Sequence, residues 1–479
     1  MSLRKQGISA TVWTTTSSII KSLIQILRFS ILARILEKED FGVIAIVTLV
    51  LGFTQIFADL GVSVSLYSRK DISKKQYSSL LWVSVILSLL IYGVLAVGTP
   101  VVARFYEMEE LNLLIPIMGL DLIFLAAGRQ FRVFREKELR FKELAIIDII
   151  TSALSLILAY WLAINDYGVY SLVYSALFAS FSASLVLIIF GIKNHPVLLY
   201  INFKENKSFY KVGFYQTGTQ ILDYFATQLD IILMGKLMST ADLGAYNLVK
   251  QLVLKIYRVI NPIVTTVAVP LLATIKEDVP RFKEKFLQLL NIISLVNFSA
   301  YALVAILSHE VLLILYGSSY LDSSTILKIL CCWGAFSGVG SVVSTLIIIT
   351  GRTDIGFKRT IIRVIMNSAL ILIGAFYAGF LGIVVAQTAY SMMIFLINWK
   401  MIINKLMRSI SFIDYSEKIV PYFILFLFSV FAIHIIEHNL FVTMHIVSQI
   451  LLKIVLLIGL LLLFFRRTLF QAFAFVVKR

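Results

Sequence analysis

The chain has 479 residues, of which 59% are hydrophobic and 15% charged, and it carries a formal net charge of +16. That balance excludes a string of soluble domains and describes a polytopic, all-helical membrane protein. The only two cysteines, Cys331 and Cys332, are adjacent in an apolar run, which excludes a disulfide framework and leaves them as small packing residues.

The opening "MSLRKQGISATVWTTTSS" is basic and then polar, without the compact apolar run and small-residue site of a cleavable signal, so the first span is expected to be retained. Apolar runs long enough to cross a bilayer lie at 8–36, 41–67, 77–103, 111–128, 144–164, 168–192, 208–238, 241–275, 286–308, 323–350, 360–379, 380–399, 419–436 and 443–465, giving about 14 predicted helices. The first contains "SIIKSLIQILRF", where Lys21, Gln25 and Arg28 fall on one helix face with Thr14 and Ser17. A cation near the bilayer centre costs roughly 2.5 to 3.5 kcal/mol on insertion scales, so this face is expected to meet something polar.

Polar residues recur along later spans. Gln55 and Asp59 stand one turn apart on the second, Asp223, Thr227 and Asp230 share a stripe on the seventh, and Lys250, Lys255, Arg258 and Asn261 follow on the eighth. Lys328 adds a cation to the tenth. Asn261-Pro262 and the glycines of "GAFSGVG" (334–340) can bend their helices or pack them closely. Trp13, Trp82, Trp161 and Trp399 lie near predicted helix ends, as an interfacial belt does. His309, His434, His438 and His445 supply no fixed ligand geometry, so no metal site is expected.

Lysine and arginine fall on one side. The N-terminus, the loops "SRKDISKKQ", "RQFRVFREKELRFKE", "IKNHPVLLYINFKENKSFYK", "KEDVPRFKEK", "GRTDIGFKR" and "KMIINKLMRSISFIDYSEK", Arg363 and the tail from Arg466 hold 32 of the 43. The opposite loops hold only Lys38 and Arg104. The positive-inside rule therefore places both termini in the cytoplasm, and anionic headgroups account for the basic charge without nucleic acid.

The first six spans resemble the next six. "ILARILEKEDFGVIAIV" (31–47) parallels "ILMGKLMSTADLGAYNLV" (232–249), aligning Gly42 with Gly244, and three further pairs follow in order at nearly constant offset. The pattern predicts an N-lobe at 1–192, a basic linker at 193–211, a C-lobe at 212–405 and a final helix pair with a basic tail at 406–479. The 202-residue offset maps Lys21 onto Asp223 and Arg28 onto Asp230. Two lobes related by a two-fold axis normal to the membrane would turn these stripes toward one cavity, where they either line a substrate site or pair with each other as static glue.

The runs "FADLGVSVSLYSRKDIS" (57–73), "YSSLLWVSVILSLLIYG", "REKELRFKELAIID" (135–148) and "QLDIILMGKLMSTADLGAYNLVKQL" (228–252) resemble the polysaccharide transporter branch (Wzx/TuaB type) of the multidrug, oligosaccharidyl-lipid and polysaccharide exporter superfamily. The likeness covers roughly residues 8–405. It implies two six-helix lobes around a central cavity in a bacterial inner-membrane protein that moves lipid-linked glycans between leaflets. Its partners would be the glycan and membrane lipids, with glycan polymerase and glycosyltransferases beside it, and one chain suffices as a monomer.

On that reading Lys21, Arg28, Lys250, Lys255, Arg258 and Lys328 receive the diphosphate and acidic sugars, since Arg offers phosphate a fork and Lys a compact charge. Gln25, Gln55, Asp59, Asp223, Asp230 and Asn261 complete the polar wall, and the carboxylates are candidates for coupling to a proton or sodium gradient, with no cofactor. An enzyme is disfavoured: no Asp-x-Asp pair occurs, and "GRTDIGFK" (351–358) has Phe357 where a phosphate loop needs lysine. A cation-drug exporter of the same superfamily and a scaffold for glycan-assembly enzymes remain the alternatives.

Overall fold

Long apolar runs must satisfy their own backbone in hydrocarbon, so they close into helices. The structure, a computed structural model, describes residues 3–59, 72–202, 207–407, 410–440 and 446–477. Ten of its helices are long and apolar enough to cross a membrane. The chain is therefore a multi-span membrane protein. It folds as two compact units, Met1–Asn247 and Leu248–Arg479.

The first unit contains α1 (Leu3–Leu32), α2 (Lys38–Asp59), α3 (Lys74–Tyr106), α4 (Leu111–Lys137), α5 (Phe141–Ile164), α6 (Val169–Asn194) and α7 (Lys207–Leu237). The start of α8 (Thr240–Thr274) also belongs to it. α1 packs along α5, α4 packs against both α3 and α6, and α7 packs on α2. Ser73 starts α3 with a capping box: its Oγ accepts from the Gln76 N–H at 3.2 Å while the Ser73 N–H donates to Gln76 Oε1 at 3.1 Å. Two donors that the helix itself leaves open are thereby satisfied.

Gly42 and Gly244, the pair aligned by the repeat, meet where α2 and α8 begin. A Cβ on Gly42 would stand 2.0 Å from the Thr240 carbonyl oxygen, and one on Gly244 would stand 1.9 Å from that of Lys38. Lys38 and Thr240 are themselves separated by the same 202 residues, so the two contacts are exchanged by the repeat. Reciprocal contact of this kind is the mark of a two-fold relation between the segments.

The second unit holds the rest of α8, then α9 (Val279–Ile306), α10 (Ser308–Tyr316), α11 (Ser324–Thr350), α12 (Thr353–Asn398), the short α13 (Phe412–Ser416), α14 (Val420–Leu440) and α15 (Ile446–Val477). α9 packs against α11, α14 and α15, and α11 packs against α12. α12 has 46 residues. At 1.5 Å per residue a straight helix of that length would reach about 69 Å, more than twice the hydrocarbon core. It breaks instead at Ala378 and Gly379, where Gly379 takes φ 54°, and Gly374 then lies against Gly382. The break matches the boundary between the predicted spans 360–379 and 380–399.

Among the described residues, α1 and α7 are not among the ten apolar spans, since the polar residues singled out above dilute their hydropathy. Between α3 and α4, Lys236 Nζ lies 2.6 Å from Glu107 Oε1 and holds that carboxyl below its usual range. A lowered folded pKa means that this contact stabilises above the unfolded value and is lost as pH falls through the folded one. Glu107→Gln is therefore expected to lower the thermal midpoint slightly at neutral pH, and the difference from wild type should disappear as pH falls through the lowered folded pKa, read by thermal unfolding across a pH series.

Candidate functional site: charged side chains inside the helices

In the first unit the polar face of α1 finds its partners on α4, α5 and α6. Lys21 Nζ lies 2.7 Å from Asp148 Oδ2. Arg132 grips the same carboxylate with both ends of its fork, Nη1 to Oδ1 at 3.0 Å and Nη2 to Oδ2 at 2.7 Å. Its Nε also faces Glu136 Oε1 at 3.4 Å. Seven residues beyond Lys21, Arg28 Nη2 donates to the Leu172 carbonyl at 2.8 Å and to Ser175 Oγ at 2.6 Å. Gln25, between them, is exposed.

This geometry corrects the static-glue alternative. Lys21 pairs with Asp148 instead of Asp223, and Arg28 bonds α6 instead of Asp230, because α1 packs along α5. Asp230 is fully buried and accepts from the Tyr246 hydroxyl, whereas Asp223 is exposed. Gln55 Nε2 donates to Asp121 Oδ2 at 3.1 Å, and Asp121 is buried. Gln55 and Arg129 line a small cavity of about 10 Å³ beside it. The side chain of Asp59, which ends α2, lies outside the described residues.

The second unit repeats the theme with different residues. Lys250 and Lys255 are buried, Arg258 is exposed and bears on Lys255, and Lys328 is half-buried. Asn261 Nδ2 donates to the Tyr257 carbonyl at 3.1 Å, and its Oδ1 accepts from Ser341 Oγ at 2.8 Å. Arg359 and Arg363 of α12 stand near Tyr257 and Tyr390, and Arg359 Nε donates to Asn398 Oδ1 at 2.8 Å. The side chains of Pro262, His438 and His445 lie outside the described residues, while His309 and His434 are exposed.

Sequence reasoning passed over Arg132, Asp148, Asp121, Arg359 and Glu310. Arg132 and Arg359 were absorbed into basic loops, and the three carboxylates have partners far away in sequence. Their only advance signal was charge inside or beside an apolar run. Lys453, likewise unremarked within "LLKIVLLIGL", is buried against Glu310 at 2.5 Å.

Helices of this length and order, with cations drawn into their packing, define a polytopic membrane protein. The solved inward-closed lipid II flippase MurJ superposes with a TM-score of 0.77 at 18% identity, covering 96% of this chain and 100% of that one. Residues 31–325 match the polysaccharide biosynthesis protein family, and the chain belongs to it. The teichuronic acid biosynthesis protein TuaB of Bacillus subtilis is 28% identical over 74% of each chain. The lipopolysaccharide biosynthesis protein WzxC of Escherichia coli is 25% identical over 80% of this chain and 78% of its own.

Proposed function

We propose that the protein carries a polyprenyl-diphosphate-linked glycan from the cytoplasmic to the outer leaflet of a bacterial inner membrane by alternating access. The observation that carries this reading is the placement of Lys21 and Arg28 within one unit, and of the buried Lys250 and Lys255 within the other, at helix positions where hydrocarbon alone would reject them. Diphosphate oxygens suit such donors. Family membership and the flippase fold agree with it.

The lipid tail stays in the bilayer throughout, since extracting it would forfeit about 0.8 kcal/mol per methylene. The glycan headgroup alone enters the polar path. Buried carboxylates at Asp121 and Asp230 supply candidate sites for a proton or sodium ion that drives the cycle. The predominance of cations among these charged positions argues against export of cationic drugs. Glycan polymerase and glycosyltransferases are the partners expected on either side of the membrane, and the termini are expected in the cytoplasm.

Deleting the gene and restoring either wild type or the double variant Lys21→Ala/Arg28→Ala tests the reading. Deletion in a strain without a redundant flippase is expected to accumulate lipid-linked glycan on the cytoplasmic leaflet, which wild type clears and the double variant, at equal membrane abundance, clears at least tenfold more slowly, as expected for lost charge-assisted contacts. Unchanged intermediates after deletion would remove the function. Wild-type clearance by the double variant would remove the α1 cations from it.

A further inference from the structure

We propose that Arg132 is a phosphate ligand of the same path and that Asp148 is its built-in stand-in, a carboxylate that holds Lys21 and Arg132 in phosphate-binding geometry until a diphosphate displaces it. The inference rests on the substrate class proposed above and adds two residues to it. Three helices converge on the Asp148 carboxylate, which takes the bidentate fork of Arg132 from α4 and the Lys21 ammonium from α1. Phosphate presents paired oxygens to such a fork in the same way.

The exposure of these side chains distinguishes a stand-in from a structural bolt. The Asp148 side chain is 11% exposed, but Lys21 and Arg132 keep 34% and 35% of theirs open. Both cations thus present a free flank beside the carboxylate that occupies their point of convergence. A buried bolt such as Lys453 with Glu310, by contrast, leaves 1% and 2%. Glu136 stays on the Nε side of Arg132, one turn along α4, and keeps that guanidinium from swinging out of the fork geometry. Arg28, further along the same face of α1, extends the row of donors.

Asp148 lies seven residues into α5 and Arg132 five residues from the end of α4, so the cluster sits about two turns from the 138–140 connection between the two helices. The resident carboxylate then has two effects: it prevents mutual repulsion of Lys21 and Arg132 in the empty protein, and it competes with phosphate so that the product can leave.

Purified full-length protein in detergent tests this with geranylgeranyl diphosphate, geranylgeraniol and inorganic pyrophosphate as probes. Wild type is expected to bind the diphosphate lipid more tightly than the alcohol. Asp148→Asn should tighten binding of the diphosphate lipid about tenfold, and Arg132→Gln should weaken it by about as much, with the alcohol unaffected by either. Arg132→Lys, which keeps the charge and loses the fork, should also weaken binding and decides the question if Asp148→Asn does not fold. Pyrophosphate competing only at far higher concentration would assign the site to a lipid headgroup; equal competition would assign it to free phosphate and overturn the stand-in role in flipping. If wild type binds the diphosphate lipid and all three variants match it, the stand-in is wrong and the substrate class survives. If wild type does not distinguish diphosphate from alcohol, both fall.

Discussion

Lys453→Met is expected to lower the thermal midpoint of the purified protein by several degrees. Lys453 and Glu310 are 1% and 2% exposed, and their contact is 2.5 Å. Glu310 Oε2 has no hydrogen-bond partner among the described residues, so the ammonium on Oε1 is what compensates this buried charge. Breaking a buried pair from one side costs about 3 to 5 kcal/mol, because the survivor is left charged without a partner. The double variant Lys453→Met/Glu310→Gln should recover much of the loss, since a neutral amide is far cheaper to bury. Cys331 and Cys332 are free and buried, so a thiol-reactive fluorescent dye reports unfolding without any added label. A single variant no less stable than the double one would show that the pair does not hold α15 to α10.

Alanine at Gly42 or Gly244 should be nearly as damaging, and the two should behave alike. Each added methyl would press on a backbone carbonyl, Thr240 at 2.0 Å or Lys38 at 1.9 Å, which no rotamer change can relieve. Overpacking of this kind costs about 1 to 3 kcal/mol, and a backbone shift at the start of α2 would pass into everything packed on it. Gly93 and Gly98 of α3 meet nothing within 4 Å, so alanine there is the control and should be tolerated. Detergent-solubilised monodispersity and thermal midpoint measure all four. Tolerance at Gly42 with failure at Gly244 would break the reciprocity that the repeat requires.

The fold was largely legible because membrane spans announce themselves by length and hydropathy, and the break in α12 at Ala378 and Gly379 fell where the apolar run was divided. One pair aligned by the proposed repeat also meets in the structure. A constant offset aligned Gly42 with Gly244, and the structure brings those residues together. Partners of the charged residues were less readable. Lys21 and Arg28 were found from an insertion penalty alone, yet their neighbours depended on α1 packing along α5, and Asp148 is 127 residues away. Mapping α1 onto α7 by the offset gave opposite charges that invited pairing, but an offset relates equivalent positions and does not bring them into contact. Arg132 was hidden by its membership of a basic loop, where topology already explained its charge. Lys453 and Glu310 each looked like an isolated charge at the margin of an apolar run, and only the fold, which sets Lys453 of α15 against Glu310 of α10, makes them one feature.

The most direct test of the flippase reading is transport by the purified protein. Reconstituted into liposomes carrying a fluorescent polyprenyl-diphosphate oligosaccharide and an imposed proton or sodium gradient, it should move the probe across the bilayer, read as accessibility to a membrane-impermeant quencher. The account predicts gradient-dependent loss of protected probe with wild type and little with Lys21→Ala/Arg28→Ala. Equal protection in protein-containing and empty liposomes under both gradients, with the protein shown to be folded, would contradict it.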